Sequence, residues 1–474
     1  MLRILLVASP VRTLGFDILV RVPNMGLCSI AANLNRKVCD VKVIDLIVAG
    51  VHPRDYFKKL LDDYKPDLVG FSCTTFQYKD SLELAKITKS FNKDIKVVFG
   101  GYHPSTSYKE IFECSDRNFI DFLIRGEGEI VFNKLVNSIV HEGPFDHIPN
   151  ISYKNGDAVI HNPEGRLANL GEIKLPDRST RIINKGFHFF GYPADVVETS
   201  RGCVYDCNFC CITSMYGRSF RRHKIERVIE DIRNVKKHGC KAIIISDDNI
   251  TIDSKRYKEI CEAIIEAKLN DLRFFVQVSV KGLKNTPGLI DVMVKAGTKW
   301  AFIGIENESD EILKFLNKDR QFRSSDIYSV VRELKRAGII VLGGIIIGNP
   351  NDTEKTIWKN YNFVKKLKID IPMFMPLTPY PNTLIRDELI KENLVTNLND
   401  YSKYNCYRVN IRTRYISSEK LFILLNRLFA KYPIDSGTIW RLIFRQPLFF
   451  VKLIYQQIIR RPKLVFEYIL RRPL

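Results

Sequence analysis

The sequence predicts an α/β protein built from two β/α series, joined by an irregular connector and followed by a basic, mainly helical end. Three observations carry this. Short β-rich runs alternate with amphipathic stretches over the first 140 residues. The same alternation restarts near Ala194, after a stretch rich in Pro, Gly and Asn-Gly turn signals. The segment 401–474 carries 15 Lys and Arg against 3 Asp and Glu, more than half of the chain's net +20. With 474 residues and 45% hydrophobic content, the chain has room for two or three domains and a large core. The expected units are 1–145, a connector at 146–190, a second β/α unit at 191–395 and the basic region at 396–474.

The first-series strands are RILLVAS (3–9), VKVIDL (41–46), DLVGFSC (67–73), KVVFGG (96–101) and DFLIRG (121–126). Helical stretches such as 55–64 and 80–91 lie between them. This rhythm predicts a doubly wound parallel sheet of the Rossmann or flavodoxin type. Ligands of such sheets bind beyond the carboxyl ends of the strands. The loops 45–50, 72–75, 100–105 and 126–129 fall there, and all are rich in small or polar residues. In the connector, YKNGD between alternating residues predicts a small hairpin.

The second-series strands are 195–200, 242–247, 273–279, 300–306, 339–348 and 370–379. Helices at 225–239 and 325–338 each close on a Gly, as a helix C-terminus favours. Six such units predict a partial (β/α)6, TIM-like barrel with its site at the C-terminal strand ends.

The cysteines fall unevenly. Residues 198–211 read ETSRGCVYDCNFCC, holding four of the chain's eleven. MLRILLVASP does not read as a signal peptide, and no stretch reaches about 18 unbroken apolar residues. A reducing cytosol is therefore expected, and clustered cysteines there favour metal or redox chemistry over disulfides. Cys203, Cys207 and Cys210 are spaced C-x3-C-x2-C, with Cys211 directly behind. A zinc site using all four is one reading, but the second C-x2-4-C half of a zinc knuckle is missing. Three thiolates on a short loop suit a [4Fe–4S] cluster with one iron left open. Cys211 then reads as a packing residue.

That spacing after the first barrel strand resembles the radical S-adenosylmethionine (SAM) enzymes. The aromatic Phe209 before the third cysteine, SDDN (246–249), GIENESDEILKFLNK (304–318), GGIIIGNPNDT (343–353) and TPYPNT (378–383) extend the resemblance over about 190–390. It implies that Cys203, Cys207 and Cys210 hold the [4Fe–4S] cluster and that SAM chelates the open iron. One electron then cleaves SAM to a 5′-deoxyadenosyl radical that abstracts hydrogen from substrate. The cofactor does the difficult step and the protein supplies geometry and exclusion of water. Phe209 is expected near the adenine, with Asp248, Gln277 and Glu306 as further SAM contacts. Asp247, Asp248 and Asn249 equally suit an ordinary Asx turn.

Ahead of such a barrel, the first domain resembles the cobalamin-binding domain of one branch of the family. The related corrinoid pattern is D-x-H-x-x-G, S-x-L, G-G. Asp45, Gly50, Ser72, Gly100 and Gly101 fit it, Thr74 replaces the Leu, and Ile47 stands at the His position. Gly126 and Glu127 open a GEGE loop typical of the branch. Imidazole ligates cobalt and isoleucine cannot. The resemblance therefore implies cobalamin with a lower face free of protein nitrogen, or a domain that has lost the cofactor.

From Ser418 onward, aromatic and aliphatic residues alternate with Arg and Lys at helical spacing. This suits peripheral contact of 418–474 with an anionic membrane, at the inner face of a cytoplasmic location, or a helical lid on the barrel. Nucleic acid is disfavoured, because the aromatics form no stacking platform.

The expectation is a cobalamin-dependent radical SAM enzyme that methylates an unactivated carbon of a lipid-like or other amphiphilic small molecule. A low-potential electron donor of the flavodoxin or ferredoxin type would serve it. The alternatives are a cyclase or rearrangement enzyme with the same cofactors, of the tetrapyrrole ester cyclase or membrane-lipid type, and, in another class, a cobalamin- or SAM-binding sensor or electron carrier.

Overall fold

The computed structural model of the chain describes residues 1–10, 19–50 and 52–437. The first sheet has the order β3-β1-β4-β5-β6-β7-β8. Its parallel part comprises β1 (Leu2–Ala8), β3 (Cys39–Asp45), β4 (Leu68–Ser72), β5 (Lys96–Gly100) and β6 (Phe122–Ile124). β2 (Val20–Arg21) leaves for the other sheet. The strands are Val-, Ile- and Leu-rich because both faces are covered. α1 (Met25–Asn33) and the α-helix Gly128–Val140 lie on one face; α2 (Pro53–Tyr64) and α3 (Tyr78–Phe91) lie on the other.

The hairpin expected at YKNGD forms between β7 (Ile151–Asn155) and β8 (Ala158–His161). β7 pairs antiparallel with β6, so the start of the connector extends the first sheet.

The second sheet has the order β17-β16-β15-β14-β13-β10-β9-β2. β9 (His188–Phe189) is antiparallel to β10 (Tyr192–Val197), and β2 is antiparallel to β9. From β10 the strands run parallel through β13 (Ala242–Ile245), β14 (Arg273–Val278), β15 (Thr298–Glu306), β16 (Ile340–Ile347) and β17 (Ile371–Pro376). The short pair β11 (Ser200–Arg201) and β12 (Arg221–Arg222) stands apart. Every residue of β16 is buried, between the bore on one side and helices on the other. The outer helices bury regular apolar stripes: the helix Ile225–Lys237 uses Val228, Ile229, Ile232 and Val235.

At the N-terminal end of the bore, Phe189, Phe190, Ala194, Ala242, Trp300, Ile340 and Leu342 form a separate apolar cluster. This plug leaves the C-terminal strand ends as the place for a cavity. The C-terminal helix Ser418–Asp435 packs Leu421, Leu424, Leu425, Leu428 and Tyr432 into the barrel core. Its apolar face is therefore used within the protein, as the lid reading expected, with Ile423 and Ile434 left outside. The rest of the proposed membrane-contacting segment, 438–474, lies outside the described residues. No helix among the described residues is long and apolar enough to cross a membrane.

Candidate functional site

The cysteine loop leaves β10 and is pinched at its base by β11 and β12, where Ser200 pairs with Arg222 and Arg201 with Arg221. Gly202 opens the loop at φ +89°, and a Cβ there would run into the Ser219 carbonyl oxygen. Only glycine meets both conditions. Cys210 N donates to Cys207 O at 3.1 Å, turning the loop so that Cys203, Cys207 and Cys210 all line one cavity. Cys211 is not among its lining residues and begins the short helix that follows.

The cavity measures about 460 Å³. Among the described residues no three His, Cys, Asp or Glu side chains converge as a single metal ion requires. The three thiols line one chamber with room beside them, which fits a polynuclear cluster. Burial pushes the Cys203 thiol up to about 11 and raises Cys207 and Cys210 as well. Burial thus favours the protonated thiols, and metal binding would release their protons. Gln321 Nε2 donates to Cys207 Sγ at 3.2 Å.

Phe209, Asp248, Gln277 and Glu306 line this same cavity. Glu306 ends β15 at φ +56°, an uncommon conformation for a side chain of its size. Its Oε1 is 2.8 Å from Lys318 Nζ. Burial alone would lower the lysine's pKa, but the adjacent carboxylate holds it above the ordinary lysine range. Sequence reading missed Lys318, although it lies in the quoted fourth-strand segment. The three polar residues after β13 divide in function. Asp247 accepts from Thr199 N at 2.7 Å and from the Thr199 and Ser200 hydroxyls. Asn249 accepts from Thr251 N and Oγ1. These two build the turn. Asp248 accepts only Gly202 N, at 3.2 Å, among the described residues. Burial pushes its carboxyl up to about 6.

A second cavity, about 270 Å³, lies where the first sheet meets the barrel. Ser72, Gly100, Gly101, Gly126 and Glu127 line it, as expected. Asp45, Ile47, Gly50 and Thr74 do not. Asp45 instead closes its own turn, accepting from Asn24 N at 3.0 Å and Ile47 N at 3.1 Å. Thr74 bonds Gln77 Oε1 through its own N and Oγ1. Gly50, at φ +87°, serves the turn after β3. The cavity is served by the N-terminus of α1 instead, through Met25, Gly26 and Leu27. The available signal was Pro23-Asn24, a helix start in the first βα connection, with Asn24 accepting from Leu27 N.

Small residues make the cavity. A Cβ on Gly70 would approach Leu6 Cδ2 to 2.8 Å, and one on Gly101, at φ +98°, would approach Cys73 O to 2.8 Å. Met215, Tyr216 and Asp248 of the barrel line the slot together with these first-domain residues.

A buried ionic network ties the base of the cysteine loop to the first domain. Arg201, two residues before Cys203, donates to Glu198, Glu127 and Glu129 at 2.8, 2.8 and 2.6 Å. Arg221 also donates to Glu127, and His223 meets Glu198 at 3.1 Å. This gives the GEGE loop a concrete use. Its carboxylates hold the strand that presents the cysteines.

Residues 197–364 match the radical SAM superfamily, and residues 11–136 match the B12 binding domain. An uncharacterized methyltransferase, PH0819, of Pyrococcus horikoshii is 31% identical over 433 residues, 91% of this chain and 92% of the relative. The chain belongs to the cobalamin-binding radical SAM family. It is a radical SAM enzyme of the methyltransferase kind, with a [4Fe–4S] cluster, SAM and cobalamin as cofactors. The hopanoid C-3 methylase of Methylococcus capsulatus is 28% identical, covering 77% of this chain and 68% of that relative. The fold is that of the radical SAM methyltransferase TsrM of Kitasatospora setae, solved with tryptophan and a SAM analogue. Its TM-score is 0.70 at 17% identity, over 82% of this chain and 76% of that one.

Proposed function

We propose that this enzyme methylates an unactivated carbon of an amphiphilic small molecule bound between the two cavities. One observation carries the reading. The thiol-lined chamber and the glycine-lined slot share the lining residue Asp248, which supports a substrate placed between the two cofactors. When bound, the cluster with SAM supplies hydrogen-atom abstraction, and cobalamin supplies a transferable methyl group.

The chain's own part is binding, orientation and exclusion of water. Cys203, Cys207 and Cys210 hold the cluster, and Gln321 orients the Cys207 sulfur. Phe209, Gln277 and Glu306 face SAM, with Lys318 fixing the Glu306 carboxylate. Ser72, Gly100, Gly101, Gly126 and Glu127 hold cobalamin, with Met25 and Gly26 at its rim. Phe302, Ile346, Met375 and Leu377 give the chamber an apolar wall. That wall and the hopanoid-methylase likeness support a lipid-like substrate, delivered from a membrane that the basic end contacts. A flavodoxin- or ferredoxin-type donor supplies electrons.

The test is anaerobic reconstitution with SAM, cobalamin and a low-potential reductant, followed by assay for 5′-deoxyadenosine and comparison of lipid extracts made with and without the enzyme. Methylated lipids are expected only with the intact chain. Absence of 5′-deoxyadenosine from fully loaded enzyme rejects the radical reading. The Cys207→Ala variant should hold no full [4Fe–4S] complement.

A further inference from the structure

We infer that Asp248 binds a hydroxyl or amine of the substrate, on or next to the carbon that is modified. This rests on the function proposed above and narrows its substrate class. Among the described residues, Asp248 alone lines both cavities. It stands at the junction a substrate must occupy to be reached from both sides.

The neighbouring residues show that Asp248 is not there to build the turn. Asp247 and Asn249 do that with hydrogen bonds of their own. Asp248 has one oxygen, Oδ2, anchored by the Gly202 N–H. Its other oxygen accepts no hydrogen bond among the described residues. Tyr102 and Tyr216 line the slot on the cobalamin side of Asp248.

A carboxyl oxygen facing a hydrocarbon, shut away from water, is strongly unfavourable. A substrate that presents only apolar carbon at the junction would leave Asp248 in that condition. One that brings an O–H or N–H donor satisfies it and gains orientation. The apolar wall formed by Phe302, Ile346, Met375 and Leu377 belongs to the cluster chamber, where the substrate is proposed to lie. The substrate is therefore an amphiphile whose polar end sits at Asp248 and whose apolar part runs along that wall. The reacting carbon lies near the polar end, not in the middle of a hydrocarbon skeleton.

The experiment feeds [methyl-²H₃]methionine to cells expressing the full-length chain, or its Asp248→Asn or Asp248→Leu variant. Extracts are searched for trideuteromethylated products. In parallel, the purified holoenzymes are assayed for cobalamin content and for 5′-deoxyadenosine released from SAM. The wild-type product should carry a hydroxyl or amine on or beside the methylated carbon. Asp248→Leu should lower labelled product per 5′-deoxyadenosine by about tenfold or more. Asp248→Asn keeps one acceptor oxygen and puts an amide N–H in place of the other, so it stays polar at the junction and should lower it less. If cobalamin content or SAM cleavage falls in step with product, Asp248 serves a cofactor and the inference is overturned. A methyl group placed far from any donor overturns it too, while leaving methyl transfer intact. If the wild-type chain yields no labelled product, methyl transfer itself is rejected, and this inference with it.

Discussion

Arg201 Nη1 donates to Glu127 Oε1 at 2.8 Å, joining the strand that presents the cysteines to the GEGE loop of the first domain. Both side chains are almost wholly shielded from solvent, and the same guanidinium serves Glu129 and Glu198. Removing one partner of a buried ion pair leaves its charge uncompensated. Arg201→Ala strands parts of three carboxylates and should cost about 3–5 kcal/mol in urea unfolding of the apo chain. Arg201→Lys should recover only part, because an ammonium cannot reproduce the planar fork. Arg221→Ala should cost less, since its side chain is partly exposed and Glu127 keeps Arg201.

Gly202 supports a separate prediction about the cysteine loop. Gly202→Ala combines a left-handed φ with a collision against backbone, so the loop must move. Gly217, at the far end of the loop, also has a positive φ, +61°, but nothing lies within 4 Å of its Cβ position. Gly217 also has ψ −166°, so Gly217→Ala should cost about 1–3 kcal/mol of local backbone strain without displacing a neighbour. Iron and sulfide content after anaerobic reconstitution separates them. It should fall sharply in Gly202→Ala and stay near the wild-type level in Gly217→Ala.

These cases also show what the sequence made legible. Cys203, Cys207 and Cys210 lie within eight residues, so one loop brings them together and the spacing alone exposes them. Gln277 and Glu306 are readable because barrel strand ends converge by construction. The Arg201–Glu127 pair spans 74 residues and two domains, and no local pattern encodes such a contact. The return of β2 to the barrel sheet was invisible for the same reason, because two residues carry no periodicity. Asp45 and Ile47 were placed at the cobalamin site by motif spacing. In the structure the Asp45 carboxyl accepts from two backbone N–H groups, and it is the N-terminus of α1 that lines the glycine-rich slot.

Asp45 gives stability a predictable pH dependence. Burial lifts its carboxyl from the ordinary 3.8 to about 6, against the pull of the Asn24 and Ile47 N–H donors. The folded state therefore holds this proton more tightly than the unfolded chain. Its contribution is fully present below about pH 4 and is lost as pH rises through 6. The full size is about 3 kcal/mol, most of it lost between pH 4 and pH 7. In urea unfolding of the apo chain between pH 4 and pH 7, the wild type should lose about that much more stability than Asp45→Asn. Equal slopes would mean that the carboxyl does not titrate there.

Lys318 and Glu306 form an ion pair within the cysteine-lined chamber, and a double-mutant cycle can isolate it. Their 2.8 Å contact is shielded from solvent on both sides. Lys318→Met removes the cation and leaves the Glu306 carboxylate in an enclosed chamber without its counter-charge. The expected loss is about 3 kcal/mol or more in urea unfolding. Glu306→Gln alone strands the ammonium and should cost a comparable amount. The combination of Lys318→Met with Glu306→Gln leaves no unpaired charge, so it should be more stable than either single variant. SAM binding by the reconstituted enzyme, read by equilibrium dialysis, should follow a different order. The double variant regains stability but lacks the oriented carboxylate, so its affinity for SAM should stay as low as that of Glu306→Gln. If stability and SAM affinity recover together, the pair serves only to hold the chamber wall.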